Sequence, residues 1–387
     1  MGFLISPRAF MTAGSGIGLS GSFFTLIIVM LVIVHVINAR FAQTPEDSIG
    51  LFDTTGYGIK AFTLAFLSCS ILGVAGYAFN EVFLFWFPNF LFSFIVLGCS
   101  MIACLTPPSI FNKIQSGAVA LALLGVAVIF AASAGVEAPQ KAQDPDFYAP
   151  YALNPMSEGL AFMASLFIGY ELLRKKKTHG AKMDETTPQV VAIVAVGIVL
   201  ALFSQAILMV SGSERLADST VPHMSGARRI LGQTGRYIMG GVVILGSFAA
   251  FNAVMMYLKR PFDDFFAMRQ ADDKAVGLNK RVFAAAIPAL TISILLLMGF
   301  AGEPVTETYI AGGLGFWLLF YAANSLRAVS AASPLVKAAL LSSAVFCAYL
   351  AYGAVGLAEE PIRAVAAPVA TTIVCIGVAR VFKKQLS

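Results

Sequence analysis

Three glycines within five residues open the first long apolar stretch of the chain, in the run Gly14-Ser15-Gly16-Ile17-Gly18. Glycine is a poor helix former, so this run favours an interrupted helix over a continuous one. Inside a bilayer, an interrupted helix persists only where protein or a water-filled cavity satisfies the freed backbone groups. Its N–H groups, at the positive end of a helix dipole, can bind a carboxylate. A glycine-rich packing face is the competing structural interpretation.

The fifth apolar stretch carries a second candidate interruption, Phe167-Ile168-Gly169-Tyr170-Glu171. Taken alone, this run favours a helix-packing glycine, with Glu171 already at the cytoplasmic boundary. Taken together, two interrupted apolar segments, one in each half of a chain, indicate the substrate site of an inverted-repeat transporter. We therefore expect a site near the membrane midplane between the two runs.

The composition requires helices in a membrane to position these groups. The chain has 387 residues, of which 58% are hydrophobic and 12% are charged, whereas a soluble domain carries about 25% charged residues. A helix that spans a bilayer needs about 20 apolar residues. Eleven stretches meet this requirement: 13–37, 58–80, 83–106, 112–134, 158–174, 189–211, 236–258, 282–301, 306–327, 335–356 and 362–381.

The distribution of Lys and Arg between the loops predicts the orientation. Alternate loops and the C-terminal tail carry sixteen basic residues, against six in the other loops. The basic side is expected to be cytoplasmic, which makes the protein a multi-pass protein of the inner cell membrane with a cytoplasmic C-terminus. Eleven crossings then place the N-terminus outside. The loop 38–57 argues the other way, because it carries Arg40 against three acidic residues.

Several segments in a fixed order resemble the amino acid–polyamine–organocation (APC) superfamily of permeases. They are Gly14-Ser15-Gly16-Ile17, Tyr77-Ala78-Phe79-Asn80-Glu81 followed by Phe87-Pro88, Asn112-Lys113-Ile114-Gln115, Phe167-Ile168-Gly169-Tyr170-Glu171, and Leu231-Gly232 followed by Phe248–Asn252. The resemblance implies an all-α polytopic membrane protein with the LeuT-like inverted-repeat fold. Family members have twelve helices with both termini inside. Here only one span fits between Pro88 and Lys113 where the family has two, so we expect about 11 transmembrane helices and a shortened first repeat.

The resemblance also divides the chain. Residues 1–134 form the first helical repeat of about four spans, and residues 135–157 form an exterior loop. Residues 158–330 form the second repeat of five spans, and residues 331–387 form two further helices and the cytoplasmic tail.

The site that the resemblance implies is built from main-chain groups. The N–H groups of Ser15, Gly16 and Ile17 would receive a substrate carboxylate, and free carbonyls around Ala164–Phe167 would receive its amino group. The aromatic gate of the family aligns with Ser165, which Phe162 or Phe167 would replace. The candidate substrate-binding residues are Gly14, Ser15, Gly16, Ile17, Ala164, Ser165, Phe167, Gly169 and Asn252.

Three polar residues in or between the apolar stretches are examined for a function. His35 is either functional, because titratable groups within spans usually are, or an interfacial histidine close to Asn38 and Arg40. Glu81 lies between two spans and is expected to be a boundary residue. Asn252 either binds substrate or bridges two helices.

These observations predict a secondary transporter of a small zwitterionic solute, an amino acid, that works by alternating access. The alternative is a non-transporting membrane subunit, built on a degenerate permease scaffold and bound to a protein partner. The chain has no H-E-x-x-H, G-x-S-x-G or P-loop motif, so we expect no enzyme activity. We expect no cofactor, no metal site and no nucleic-acid partner; the partners are the solute and the lipid bilayer. The segment Gly246–Asn252, which resembles the eighth helix of the family, lacks adjacent Ser/Thr hydroxyls. This disfavours sodium coupling.

Overall fold

The computed structural model describes residues 10, 12–14, 16–17, 24–42, 51–136, 160, 163–172, 186–211, 221–268, 278–356 and 358–386. Within these residues the chain is helical and contains no β-strand. The candidate residues Ser15 and Phe162 and the exterior loop 137–157 lie outside the described part of the chain.

The described residues form ten α-helices and one 3-10 turn. In chain order they are α1 (Phe24–Phe41), α2 (Leu51–Val82), α3 (Asn89–Leu105), α4 (Pro108–Ser133), the 3-10 turn (Ser165–Phe167), α5 (Thr186–Ser211), α6 (Pro222–Met268), α7 (Leu278–Leu297), α8 (Pro304–Val329), α9 (Pro334–Gly356) and α10 (Pro361–Leu386).

Ten of the eleven predicted spans correspond to these α-helices. Eight of the helices are long and apolar enough to cross a membrane, and α3 and the 361–377 part of α10 are shorter apolar helices. The remaining predicted span, 158–174, contains the 3-10 turn and a bend instead of a continuous helix in its described residues.

Proline sets where many of the helices begin. Helices α4, α6, α8, α9 and α10 all start at a proline, a residue that suits the first helical turn because its missing N–H has no partner there. Helix α3 starts directly after Pro88, whose backbone is extended. The turn before α3 is closed by the Asn80 amide, which donates to the carbonyl oxygens of Phe85 at 2.6 Å and Phe87 at 2.8 Å.

The chain folds into two compact units, each assembled from separate stretches of sequence. The first unit comprises Met1–Gly18, Ser68–Pro145 and Leu202–Gly302, and the second comprises Leu19–Leu67, Asp146–Ala201 and Glu303–Ser387. The units group residues by contact and the predicted repeats group them by sequence order, so the division into repeats stays a prediction.

In the first unit, α4 packs along α6, and α3 packs against α6 and α7. The Gln115 amide of α4 donates to the carbonyl oxygen of Ala249 in α6 at 2.7 Å. Helix α6 is bent near its start, where Leu231 and Gly232 leave the helical conformation and Gly232 has a φ of 62°. The part of α6 before this bend is a short helical stretch of its own.

In the second unit, α8 lies against α9 and α10 and uses glycines to approach them closely. An added Cβ at Gly312 would clash with the backbone of Ala364 in α10, and one at Gly315 would meet Val355 of α9 at 2.9 Å. Small residues on one face allow such close backbone contact between membrane helices.

The outer faces of the helices are apolar. Large hydrophobic side chains such as Ile102, Leu290, Val345 and Ile362 are 67%, 63%, 71% and 85% exposed. Soluble monomers rarely expose apolar surface on this scale, so these faces are suited to contact lipid.

Candidate functional site

A break in the backbone lies in the second unit, in the segment 165–172. Ala164 is still helical, the 3-10 turn follows, and Ile168 is extended with φ −75° and ψ 145°. Gly169 then has a φ of 95°, a conformation that glycine adopts readily because it has no Cβ. The Leu172 N–H donates to the Gly169 carbonyl oxygen at 3.2 Å and closes the bend. The sequence prediction of an interruption near Gly169 is confirmed.

Directly after the bend, Glu171 is held by an ion pair. The Lys60 ammonium of α2 lies 3.0 Å from Glu171 Oε1, and the two side chains are only 12% and 17% exposed. Two donors from α8 complete the shell of this carboxylate. Trp317 Nε1 donates to Oε1 at 2.9 Å, and the Tyr321 hydroxyl donates to Oε2 at 2.6 Å. We call these four residues the Glu171 cluster.

The Glu171 cluster is joined to the backbone break by Tyr321. Its hydroxyl donates to the carboxylate and is also contacted by the Gly169 N–H, at 3.5 Å. One phenol oxygen therefore links the charged group to the glycine at which the backbone turns. The Tyr321 side chain therefore connects the hydrogen bonding of the carboxylate to that of the break.

Aromatic rings surround the lysine. Lys60 Nζ lies 5.6 Å from the Trp317 ring centre and 5.1 Å from the Phe320 ring centre. A ring face attracts a cation, and more so where water is excluded. The ammonium is thus stabilised both by Glu171 and by the π-electrons of α8.

His35 of α1 packs among three aromatic rings, one of which is that of Tyr321. Its ring centre is 5.6 Å from that of Phe167, 6.1 Å from that of Tyr170 and 6.0 Å from that of Tyr321. Nδ1 is hydrogen-bonded to the Leu31 carbonyl oxygen at 2.8 Å, whereas Nε2 is buried without a hydrogen-bond partner. His35 is 0% exposed and packs in the protein interior, and its position relative to the membrane interface stays a prediction.

The Glu171 cluster lies deep in the helical bundle of the second unit. Tyr321 and Trp317 precede Val329, the last residue of α8, by eight and twelve residues. At a rise of about 1.5 Å per residue, they lie roughly 12 to 18 Å from the end of the helix. A bilayer core is about 30 Å thick, so an end of α8 at the core surface would put this depth near the middle. The position of Glu171 in the bilayer, at the boundary or inside, stays a prediction.

The structure divides the predicted site residues between the two units. Gly14, Gly16 and Ile17 belong to the first unit, where they are helical and buried. An added Cβ at Gly14 would clash with the Pro222 ring, which fits the packing interpretation of that glycine. The segment 18–23, where an interruption of the first span would fall, lies outside the described residues.

The other predicted residues are distributed as follows. Ala164, Phe167 and Gly169 belong to the second unit, where Ala164 is 0% and Phe167 is 1% exposed. Ser165 is part of the 3-10 turn of that unit. Asn252 belongs to the first unit, where its amide donates to Gln115 Oε1 of α4 at 3.3 Å and so bridges two helices. Its Oδ1 is buried without a hydrogen-bond partner.

Lys60 is the functional candidate that the sequence analysis missed. It is the third residue of the apolar stretch 58–80, and a charged residue within a span is itself a functional signal. Its partner Glu171 is 111 positions away in the sequence. Only the fold brings the two together.

The described residues contain no group of three or more His, Cys, Asp and Glu side chains that could hold a metal ion. The donors around Glu171 are an ammonium, an indole N–H and a phenol. These groups supply protons to hydrogen bonds and suit a carboxylate, whereas a hard cation such as Mn²⁺ prefers carboxylate, carbonyl and water oxygens.

Comparison with known proteins gives likenesses among solved structures alone. No family model and no curated protein matches the chain. Among solved structures, a mutant of the manganese transporter of Eremococcus coleocola is similar, with a TM-score of 0.51 and 11% identity over 100% of this chain and 93% of that one. This likeness confirms the predicted fold class, an all-α polytopic membrane bundle with a LeuT-like, transporter-like fold, and the shortened first repeat stays a prediction.

Proposed function

We propose that this chain is a secondary transporter of a small zwitterionic solute, with amino acids as the substrate class. The observation that supports the proposal most is the backbone break at Ile168–Gly169 beside the Lys60–Glu171 ion pair. Charged groups within membrane spans are costly and generally serve transport or proton movement. The proposal also rests on the resemblance of the sequence to the APC permeases, whose substrates are small organic solutes.

A broken helix provides the main-chain groups that such a solute needs. The last carbonyls of a helix and the first N–H groups of the next lack helical partners. Transporters with broken helices use these ends to bind the charged groups of the substrate. The segment 165–172 supplies one such end.

The charge balance of the Glu171 cluster also favours a zwitterion. Lys60 and Glu171 together are neutral, so a solute with a net charge of zero leaves the electrostatics of the site unchanged. The solute brings a carboxylate, which is the partner that Lys60 requires, and its own ammonium keeps its net charge at zero. A solute without a carboxylate lacks this partner.

A metal ion is the second candidate, because the similar solved structure is that of a manganese transporter. The described residues contain no group of three or more His, Cys, Asp and Glu side chains that could hold this ion. The ion prefers carboxylate, carbonyl and water oxygens. We therefore use Mn²⁺ as the competing substrate in the experiment below.

Uptake by the full chain in proteoliposomes tests the proposal. We expect accumulation or exchange of components of a mixture of tritiated amino acids, and no uptake of radioactive Mn²⁺. Uptake of Mn²⁺ alone contradicts the proposed substrate class. A complete lack of uptake, together with a stoichiometric protein partner in the native membrane, supports the non-transporting subunit instead.

A variant of the run Gly14–Ile17, whose role in the site is a prediction from the sequence, provides an independent test. Gly16→Leu places a bulky side chain at a buried position and is expected to abolish amino acid binding while the protein still folds. The matched control is Gly98→Leu in α3, where an added Cβ meets no atom within 4 Å. Unchanged affinity in Gly16→Leu would remove Gly14–Ile17 from the site.

A further inference from the structure

We propose that Lys60 and Glu171 form the proton-coupling pair of this transporter, in which a proton on Glu171 and a solute carboxylate beside Lys60 bind together. This inference rests on the proposed function and specifies how the same site is driven. Four observations lead to it: the ion pair, its depth, the shell of donors around the carboxylate, and the phenol that links it to the backbone break.

The Glu171 carboxylate accepts three hydrogen bonds. Oε1 receives Lys60 at 3.0 Å and Trp317 at 2.9 Å, and Oε2 receives Tyr321 at 2.6 Å. An ionised carboxylate only accepts hydrogen bonds, whereas a protonated one carries a donor of its own. A proton on Oε2 therefore conflicts with the Tyr321 hydroxyl, which has to turn its hydrogen elsewhere.

The Tyr321 hydroxyl transmits this change to the break. It is contacted by the Gly169 N–H at 3.5 Å, and Gly169 is the residue at which the backbone reverses. Protonation of Glu171 thus alters the hydrogen bonding of the segment that is proposed to bind solute.

The charge of Lys60 makes the two binding events depend on each other. A proton on Glu171 cancels the counter-charge of an ammonium that is 12% exposed and lies within an apolar stretch. An unpaired charge within a span is costly. The carboxylate of a solute restores the pairing, so the proton favours the solute and, by linkage, the solute favours the proton to the same extent.

The other titratable groups near Glu171 are few within the described residues. His35 faces it from α1 and interacts with it electrostatically, and Lys60 and Tyr321 contact it from α2 and α8. Tyr170 belongs to the same segment and interacts electrostatically with Cys347 of α9. Among these groups only Glu171 and Lys60 are charged partners in an ion pair, so they are the pair that a proton would switch.

Transport by the full chain in proteoliposomes tests the inference. We expect a pH gradient, imposed without sodium, to drive accumulation of tritiated amino acid in the native protein. In Glu171→Gln, which keeps the size and stays neutral, we expect this pH-driven accumulation to be lost. The control Glu360→Gln alters the exposed pair with Arg363 and should accumulate like the native protein.

A second measurement, on the native protein, tests the inference without any substitution. In weakly buffered detergent solution, a pH-sensitive dye should report proton uptake when amino acid is added. Exchange without pH-driven accumulation, or solute binding without proton uptake, overturns the inference and leaves the transport function standing. No transport of any amino acid overturns both.

Discussion

At the scale of single residues, the second unit contains two polar centres with different roles. The Glu171 cluster carries charge, whereas Asn38 forms a neutral node between three helices. Asn38 Oδ1 accepts from Ser325 of α8 at 2.6 Å and from Ser343 of α9 at 2.9 Å, and its amide donates to Cys347 Sγ at 3.4 Å. Buried polar groups in a membrane protein need such partners, so we assign Asn38 to stability and Glu171 to transport.

Tyr321→Phe tests the role of the phenol in the Glu171 cluster. The variant removes the donor to Oε2 and the acceptor of the Gly169 N–H while the ring remains. A hydrogen bond to a charged group contributes about 1.5–3 kcal/mol, so we expect a clear loss of uptake with little loss of folded protein. Initial uptake rates and gel-filtration profiles measure the two effects. Native uptake in this variant would exclude the link through Tyr321.

Asn38→Ala should act on stability instead. It removes three hydrogen bonds, and such bonds between membrane helices average about 0.6 kcal/mol each, so we expect a loss of about 1–2 kcal/mol. Unfolding in detergent measures it. Thr291→Val is the control, because that hydroxyl is exposed and bonds only to the Ile287 carbonyl oxygen of its own helix. Equal stability of the two variants would contradict the assignment.

At the scale of elements, glycine acts in two ways in the second unit. At Gly169 it permits a positive φ, and along α8 it permits close approach to α9 and α10. The first use shapes the candidate site, and the second fixes the helix that carries Trp317 and Tyr321. The position of the donors thus depends on the packing of α8.

Gly169→Ala is expected to disturb the break. A non-glycine residue in a left-handed conformation costs about 1–2 kcal/mol, and the added Cβ would also meet Leu172 Cδ1 at 3.1 Å. We expect reduced solute affinity, measured by binding of tritiated amino acid to purified protein. Gly98→Ala is the control, because its site is open and its φ is not positive. An unaltered affinity in Gly169→Ala would argue against a role of this bend in binding.

Gly312→Val should separate α8 from α10. The new side chain would overlap the Ala364 backbone, and overpacking of this kind costs about 1–3 kcal/mol. We expect a lower yield of folded protein and a lower unfolding temperature, measured in detergent against Gly98→Val. Since α8 carries two donors of the Glu171 cluster, uptake should fall in parallel.

At the scale of the whole molecule, one open pocket of the second unit bears on membrane topology. Its volume is about 540 Å³, and its lining includes Arg40 and Phe41 from the end of α1, Arg327 and Ala328 from the end of α8, and Val336 and Leu340 from the start of α9. The ends of α1 and α8 therefore lie at the same level. Helices α9 and α10 cross to the opposite side and back, so the end of α1 is expected on the same side as the segment after α10.

This arrangement predicts that the segments before α1 and after α10 lie on opposite sides of the membrane. The basic loops favour a cytoplasmic C-terminal segment, which places the N-terminal segment outside. Epitope tags at each end should therefore be accessible to protease from opposite faces of oriented vesicles. Accessibility from the same face would indicate an even number of crossings and contradict this topology.

The sequence by itself determined the membrane environment, the presence of ten of the α-helices, and Gly169 as a candidate break in the fifth stretch. These features are local: hydrophobic length, proline at helix starts and glycine at a positive φ act within a few residues. Tertiary structure alone decided that Lys60 meets Glu171, that His35 is buried, and that Asn252 bridges to Gln115. Such contacts join residues far apart in the chain, and neither composition nor spacing contains the packing that brings them together.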